Sequence, residues 1–371
     1  MSITLEVGGD VYTGFVEASV TQSLADVANT FSFQASAPDG LPLPFKGQEA
    51  CKVYVDGLLK LTGSIELINI DGDGDTHTIT LAGRDKCGDL IDSMLGSMED
   101  FQGVLSLKSI CERVIAHLGL SIKVIDLANP GTFDAAVDVT SPDPGEFAMD
   151  FLEPLARKRQ VLLSSNAEGD LEIIRAVTAN PFASFSTSGA GPYLHHRVGD
   201  VENRNNVLSY GLSRDFTGRY NSYKTVSSMS VVAASLEQAQ IAVLGPSAQY
   251  MSSQLTQILD TEIRKGRQHV LVDESYIPKG DTPARAQWER DIRKARGNVY
   301  GASVHGYSSQ DGFHWHPNAL VSVLSEYAGI NDKMLVNSVT FDQSPDTRTT
   351  LALIDRDAYT LALAEPVEEE E

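Results

Sequence analysis

The sequence predicts a mainly β, α+β multidomain protein, with two similar antiparallel β-barrel (tube-like) domains and small α+β domains beside them. Three observations carry this expectation. Apolar residues alternate with period two at both ends of the chain, the period lengthens to that of amphipathic helices in the middle, and one hairpin recurs 271 positions further on. At 371 residues the chain is also too long for one ordinary core.

Residues 1–87 read as the first barrel domain. Ile3, Leu5 and Val7 alternate before the Gly8-Gly9-Asp10 turn, and strands follow at Phe15–Val20 and Thr30–Ala37, with Phe31 and Phe33 on one face. Pro38-Asp39-Gly40 is a turn signal. Val53-Tyr54-Val55 meets the hairpin dipeptide Asp56-Gly57, and Leu58–Ser64 returns. Glu66–Ile70 then pairs with Thr76–Ala82 across Asp71-Gly72-Asp73-Gly74-Asp75.

Residues 88–180 change period and read as a small α+β domain. Leu105, Leu107, Ile110, Val114, Ile115 and Leu118 mark a helix stopped at Gly119, and Ser121–Leu127 reads as a strand. Glu146–Lys158 suits a second helix with an acidic start and a basic end, although Pro154 inside it predicts a kink or a break. Val161–Ser164 and Leu171–Ala176 form a hairpin around Asn166–Asp170.

The second barrel domain is predicted to be discontinuous, 181–230 plus 298–364, interrupted by a helical or mixed insert at 231–297. Its first part includes a strand at Asn205–Ser213. Within the insert, Ala234–Leu244 and Ser252–Lys265 read as helices and Val270–Ile277 as a strand. Thr282 is a suitable N-cap, Pro283 fits a first helical turn, and Gly297 closes that helix as a C′ glycine. Alternation resumes from Val299 to Tyr307, followed by strands at Leu320–Tyr327, Lys333–Phe341 and Thr347–Ile354. Shifting the N-terminal hairpin by 271 positions lays Ile65 on Val336, Ile68 on Val339, Ile70 on Phe341 and Thr78 on Thr349. Residues 365–371 read as a disordered acidic tail.

The net charge is −21, from 50 acidic and 29 basic residues, which disfavours tight DNA binding because phosphate contacts need Lys and Arg. Like charge also lets DNA slide past without adhering. No apolar run reaches about 18 residues, so no membrane-spanning helix and no stable membrane insertion are expected. The N-terminus carries no secretory signal pattern. Cys51, Cys87 and Cys111 fit neither a disulfide framework nor a metal knuckle, and read as reduced, buried thiols.

No catalytic, cofactor or metal residue is assigned. The acidic turn of Asp71, Asp73 and Asp75 resembles the start of a calcium loop, but Thr76 and Ala82 stand where that loop needs glycine and glutamate. His195-His196 and His314-x-His316 lack further ligands at recognisable spacing. Gly8-Gly9 and Gly189-x-Gly191 make no phosphate loop, and no G-x-S-x-G elbow is present.

Several short strings, in order, resemble one family. They are Ala82-Gly83-Arg84-Asp85-Lys86-Cys87-Gly88-Asp89-Leu90-Ile91-Asp92, Pro144-Gly145-Glu146 through Leu155-Ala156-Arg157, and Glu168-Gly169-Asp170-Leu171. Trp288-Glu289-Arg290, Ala295-Arg296-Gly297, Val304-His305-Gly306-Tyr307, Trp315-His316-Pro317-Asn318 and Met334-Leu335-Val336-Asn337-Ser338-Val339 continue the series. Together they resemble the baseplate hub proteins of contractile-tailed phages, the Mu-type tail hub family, which is related to the hub portion of type VI secretion spikes. The resemblance implies a non-enzymatic virion protein of the tail baseplate, assembled in the host cytoplasm. It also implies a homotrimer whose paired barrels imitate sixfold symmetry. Implied partners are a central spike protein, the tail tube or tube-initiator protein, and baseplate wedge or adaptor proteins, with DNA only passing through the channel. The rival readings are a cell-wall glycosidase and a carbohydrate- or receptor-binding tail module.

Overall fold

The computed structural model describes residues 2–36, 45–72, 77–98, 101–134, 141–176, 192–196, 205–227, 254–273, 281–356 and 358. The Pro38-Asp39-Gly40 turn, the Ala234–Leu244 helix and the acidic tail lie outside these residues.

The N-terminal strands are β1 (Ile3–Val7), β2 (Asp10–Tyr12), β3 (Glu17–Ser23), β4 (Thr30–Ser36), β5 (Ala50–Val55), β6 (Leu58–Gly72) and β7 (His77–Asp85). Asp56 and Gly57 both take positive φ, 50° and 77°, which fits the primed turn joining β5 to β6. The sequence divides 58–70 into two strands. In the structure it is one 15-residue strand with a β-bulge between Ile65 and Leu67, and the bulge absorbs the break in alternation.

Next come α1 (Cys87–Asp92), β8 (Val104–Ser106), α2 (Leu107–Leu118), β9 (Val124–Asp126), β10 (Thr132–Asp134), α3 (Ala148–Lys158), β11 (Leu162–Ser165) and β12 (Leu171–Ile174). Ser106 caps α2 by accepting a hydrogen bond from Ser109 N at 3.1 Å, so Leu105 belongs to β8 and not to the helix. Gly119 ends α2 with φ 69°. Helix α3 starts at Ala148, two residues later than its sequence pattern, and neither breaks nor divides at Pro154. Pro154 and Asp150 both sit on the exposed side, so the carbonyl that proline leaves unpaired faces water.

The C-terminal part holds β13 (Tyr193–His196), β14 (Val207–Arg214), β15 (Ser222–Ser227), β16 (Gln254–Leu259), β17 (Gln268–Asp273), α4 (Asp281–Arg296), β18 (Asn298–His305), β19 (Leu320–Ser325), β20 (Ile330–Ser344) and β21 (Asp346–Asp355). The helix expected at Ser252–Lys265 is a strand over Gln254–Leu259, paired with β15. Leu255, Ile258 and Leu259 have spacings of three and four, which mimic a helical face. Helix α4 begins at Asp281, so Thr282 is inside it. Gly297 does not take the left-handed conformation. A Cβ there would come within 2.3 Å of the Asp215 carbonyl oxygen, so close backbone approach is what requires glycine.

The architecture is mainly β and multidomain. Its largest element is a 13-stranded sheet with the order β14-β18-β21-β20-β3-β4-β7-β6-β5-β1-β2, with β19 pairing β20 and β13 pairing β19. Pairing of the described strands closes no barrel. Instead, β3 pairs with β20 and joins the two ends of the chain, with Val20 opposite Phe341. One core runs beneath both halves and includes Val20, Phe31, Ile65, Val339, Phe341 and Leu351. A second core, built from α2, α3 and their strands, includes Leu107, Cys111, Val114, Leu152 and Leu171. A third gathers Leu24, Trp288, Ile292, Leu335 and Ile354 around α4.

The recurring hairpin is present, with one adjustment. In β20 the bulge falls between Val336 and Ser338, the positions equivalent to Ile65 and Leu67 in β6. On the return strand, however, Ile68 faces Leu81 and Val339 faces Leu351. Leu81 is therefore equivalent to Leu351, and Thr78 to Arg348 rather than to Thr349. The C-terminal connection is one residue shorter, which shifts the return strand by one.

Candidate functional site: the hydroxyl face of the joined sheet

Eight strands, β14-β18-β21-β20-β3-β4-β7-β6, lie side by side as two equivalent halves of four. Successive strand residues point to opposite faces, so the buried row leaves a second row on the other side. Ala18, Val20, Phe31, Phe33, Tyr300, Ala302 and Val304 are buried. The alternate positions are exposed or half-buried, and small hydroxyl residues dominate them.

The cross-strand register aligns those positions. Ser209 faces Ser303, Ser303 faces Thr350, Thr350 faces Thr340, Thr340 faces Thr21, and Thr21 faces Thr30. Thr30 in turn faces Arg84. The row crosses the seam between the halves without interruption, and the Thr21 and Thr340 hydroxyl oxygens are 3.0 Å apart across it. A neighbouring row runs from Gly211 through Gly301 to Ala352, where no side chain rises above the backbone beyond a methyl group.

Charges are interspersed on this face, among them the exposed Glu17 and Asp71, which lie in phase with Thr80 and Thr78. Arg84 pairs with Glu66 at 2.8 Å and with Asp92, and these hydrogen bonds hold its guanidinium firmly protonated. Asp342 faces Arg348, and burial pushes its carboxyl above the usual carboxylate range. Among the described residues, short hydroxyls over a stiff sheet offer weak hydrogen bonding and little apolar surface.

The residues weighed for chemistry do not converge. Asp71 is an exposed residue within β6, while Asp73 and Asp75 lie outside the described residues. His195 and His196 belong to β13 and pack in tilted contacts against Tyr193 and Tyr210, with ring centroids 4.5 Å apart in each case. His314 meets Ser308 at 2.9 Å; His316 meets the Pro317 carbonyl at 2.7 Å, and burial pushes its imidazole below the ordinary value. Among the described residues, no group of three or more His, Cys, Asp or Glu could hold a metal ion. All three cysteines are free and buried, and desolvation pushes the Cys51 and Cys111 thiols up to about 12.

The hydroxyl row has a signal in the sequence that the alternation of apolar residues does not itself single out. Thr21, Thr30, Ser32, Thr78, Thr80, Thr340 and Thr350 all occupy the outward phase of period-two strands.

Comparison with known proteins gives a consistent pattern. Residues 2–85 match the family model of the Mu phage baseplate assembly protein GpP-like N-terminal domain. Residues 87–175 match that of the baseplate hub protein gp44-like second domain, and residues 279–362 that of the Mu phage baseplate assembly protein GpP fourth domain. Baseplate hub protein gp44 of Escherichia phage Mu is 26% identical over 364 residues, covering 96% of this chain and 89% of that protein. Among solved structures, the 43 kDa tail protein of prophage MuSo2 from Shewanella oneidensis superposes with a TM-score of 0.72 at 25% identity, covering 97% of this chain and all of that one. A tail protein from Neisseria meningitidis superposes at 0.76 with 18% identity, covering 96% of this chain and 97% of that one, and shares the fold.

Proposed function

Because the chain belongs to the Mu-type family of phage baseplate hub proteins, we propose that three copies close into a ring around a channel, and that this ring joins a tail tube to a central spike. The observation that carries the reading is the joined sheet: one chain holds two equivalent four-stranded halves, side by side, sharing one hydroxyl row. Three chains then supply six such halves, enough to match a sixfold tube on one side while keeping a threefold socket on the other.

Each half is read as one tube-like barrel module, residues 1–87 for the first and 181–230 with 298–364 for the second. Residues 88–180 and 231–297 are the α+β and mixed units outside the channel, and 365–371 a tail. The separate core beneath α2 and α3 supports that division. Wedge or adaptor proteins bind the outer units, and DNA passes without specific contact. The role is structural, and purified protein is expected to leave peptidoglycan intact in a degradation assay.

Light scattering on the purified protein should give three chains per particle, and co-expression should retain the spike and tube proteins of the same particle. A strict monomer or dimer that retains neither would sink the reading.

A further inference from the structure

A cavity of about 460 Å³ opens between α3 and α4, with the connection from β3 to β4 as its third wall. Val27, Ile91 and Met149 line one side as half-buried additions to the second core, and Trp288 and Ile292 on the other side belong to the third. Two cores therefore meet here without closing on each other, and the gap has the size of a cleft that holds a ligand. Arg84, Arg157, Arg293 and Arg296 stand around it, against the three acids Asp26, Glu153 and Glu289. Glu153 is tied to Arg157 and Glu289 to Arg293, each within its own helix, and Arg84 is held by Glu66 and Asp92. Arg296 is exposed and has no ion-pair partner among the described residues. In a chain of net charge −21 this rim is a local excess of cations.

The chain itself supplies a segment of matching chemistry beside the cavity. Strand β21 ends at Asp355, close enough to Asp291 of α4 for their charges to interact. Ala358 is then buried in the third core together with Trp288 and Ile292. Beyond it Tyr359, Leu361 and Leu363 alternate, and Glu365 and the four glutamates 368–371 follow with no basic residue among them. At about 3.3 Å per residue, Leu361 and Leu363 lie within roughly 10 and 17 Å of Ala358, and in an extended chain they share one face. Apolar side chains followed by carboxylates match apolar walls rimmed by guanidinium groups, and arginine–carboxylate hydrogen bonds are of the stronger, charge-assisted kind.

We propose that residues 359–371 dock back into this cavity, with Leu361 and Leu363 between α3 and α4 and the glutamates on the arginine rim. The segment then fastens the α+β unit to the C-terminal half of the same chain. Tethered at Ala358, it is presented to the cavity at an effective concentration on the order of millimolar, so its own chain outcompetes a dilute peptide of like composition. Docking is local to one chain and stands whether or not three chains close into a ring.

The test is the reactivity of a thiol placed in the cavity wall. Met149→Cys in the full-length chain is to be compared with Lys52→Cys, an exposed position of β5 outside the cavity lining. A small maleimide should modify Met149→Cys about tenfold more slowly, because it reaches that thiol only while the segment is away. Adding Leu361→Asp and Leu363→Asp should raise the Met149→Cys rate about tenfold and leave the Lys52→Cys rate unchanged. Changing the four glutamates 368–371 to glutamine, or Arg296→Glu, should raise it roughly threefold and abolish its acceleration by salt. The three natural thiols are buried, so their silence reports an intact fold in each variant. Equal Met149→Cys rates with and without the two aspartates would overturn the docking, whether the thiol is then open to reagent or covered by another segment. Protection that disappears on dilution would overturn it as well, since a second copy would then supply the occupant.

Discussion

Lys60 lies 8% exposed at the centre of the joined core, its ammonium 4.9 Å from the Phe341 ring centre and 3.4 Å from the Trp315 carbonyl oxygen. Burial lowers its pKa from 10.5 to about 8. Below pH 8 the folded protein must keep a buried charge. Between about 8 and 10.5 it sheds a proton that the unfolded chain still holds, so this residue makes stability rise with pH across that window. Lys60→Met is accordingly expected to raise the unfolding free energy by about 1–3 kcal/mol at pH 7, with the gain shrinking towards pH 10.5. Urea denaturation at several pH values checks this, and a gain independent of pH would refute the assignment. Nothing at the sequence level marks Lys60, because a lysine between two leucines in a strand reads equally well as solvent-facing.

Among the elements, the two long hairpins differ where their neighbours differ. Gly83 in β7 is equivalent to Leu353 in β21, each opposite the residue that opens the bulge. A Cβ on Gly83 would come within 2.0 Å of the Ser64 carbonyl oxygen and 2.7 Å of the Phe31 ring. Leu353 faces Tyr300 and is fully buried, so the same design carries a side chain in one half and excludes it in the other. Gly83→Ala should therefore destabilise the protein by about 2–4 kcal/mol in urea, although alanine is the smallest change available. Alternation made most strands legible in the sequence, Ile3–Val7 and Asn298–His305 among them. It failed at Leu255, Ile258 and Leu259, where two periods coincide, and at Ile65–Leu67, where a bulge looks like the end of a strand.

For the whole molecule, a Mu-type baseplate hub protein belongs to the virion tail, and the hydroxyl face is where its channel reading can be tested. Lysines placed at Ser32, Ser303 and Thr350 would add three cations to a face on which small hydroxyl residues predominate. The triple variant should bind duplex DNA with an affinity that falls steeply as salt rises, while the natural protein stays unbound in the same anisotropy titration. Equal binding by both would count against a non-adhesive lining.

The sequence alone determined the β character of both ends, the helices between them, the repeat of the long hairpin and the family strings, because each is written in local spacing. Only the tertiary structure decided that β3 lies against β20, that the hydroxyls of separate strands fall into one row, and that Ile70 is bare where Phe341 is covered. Those outcomes depend on register between strands hundreds of residues apart, and a period-two pattern fixes which face a side chain takes without fixing which strand stands beside it.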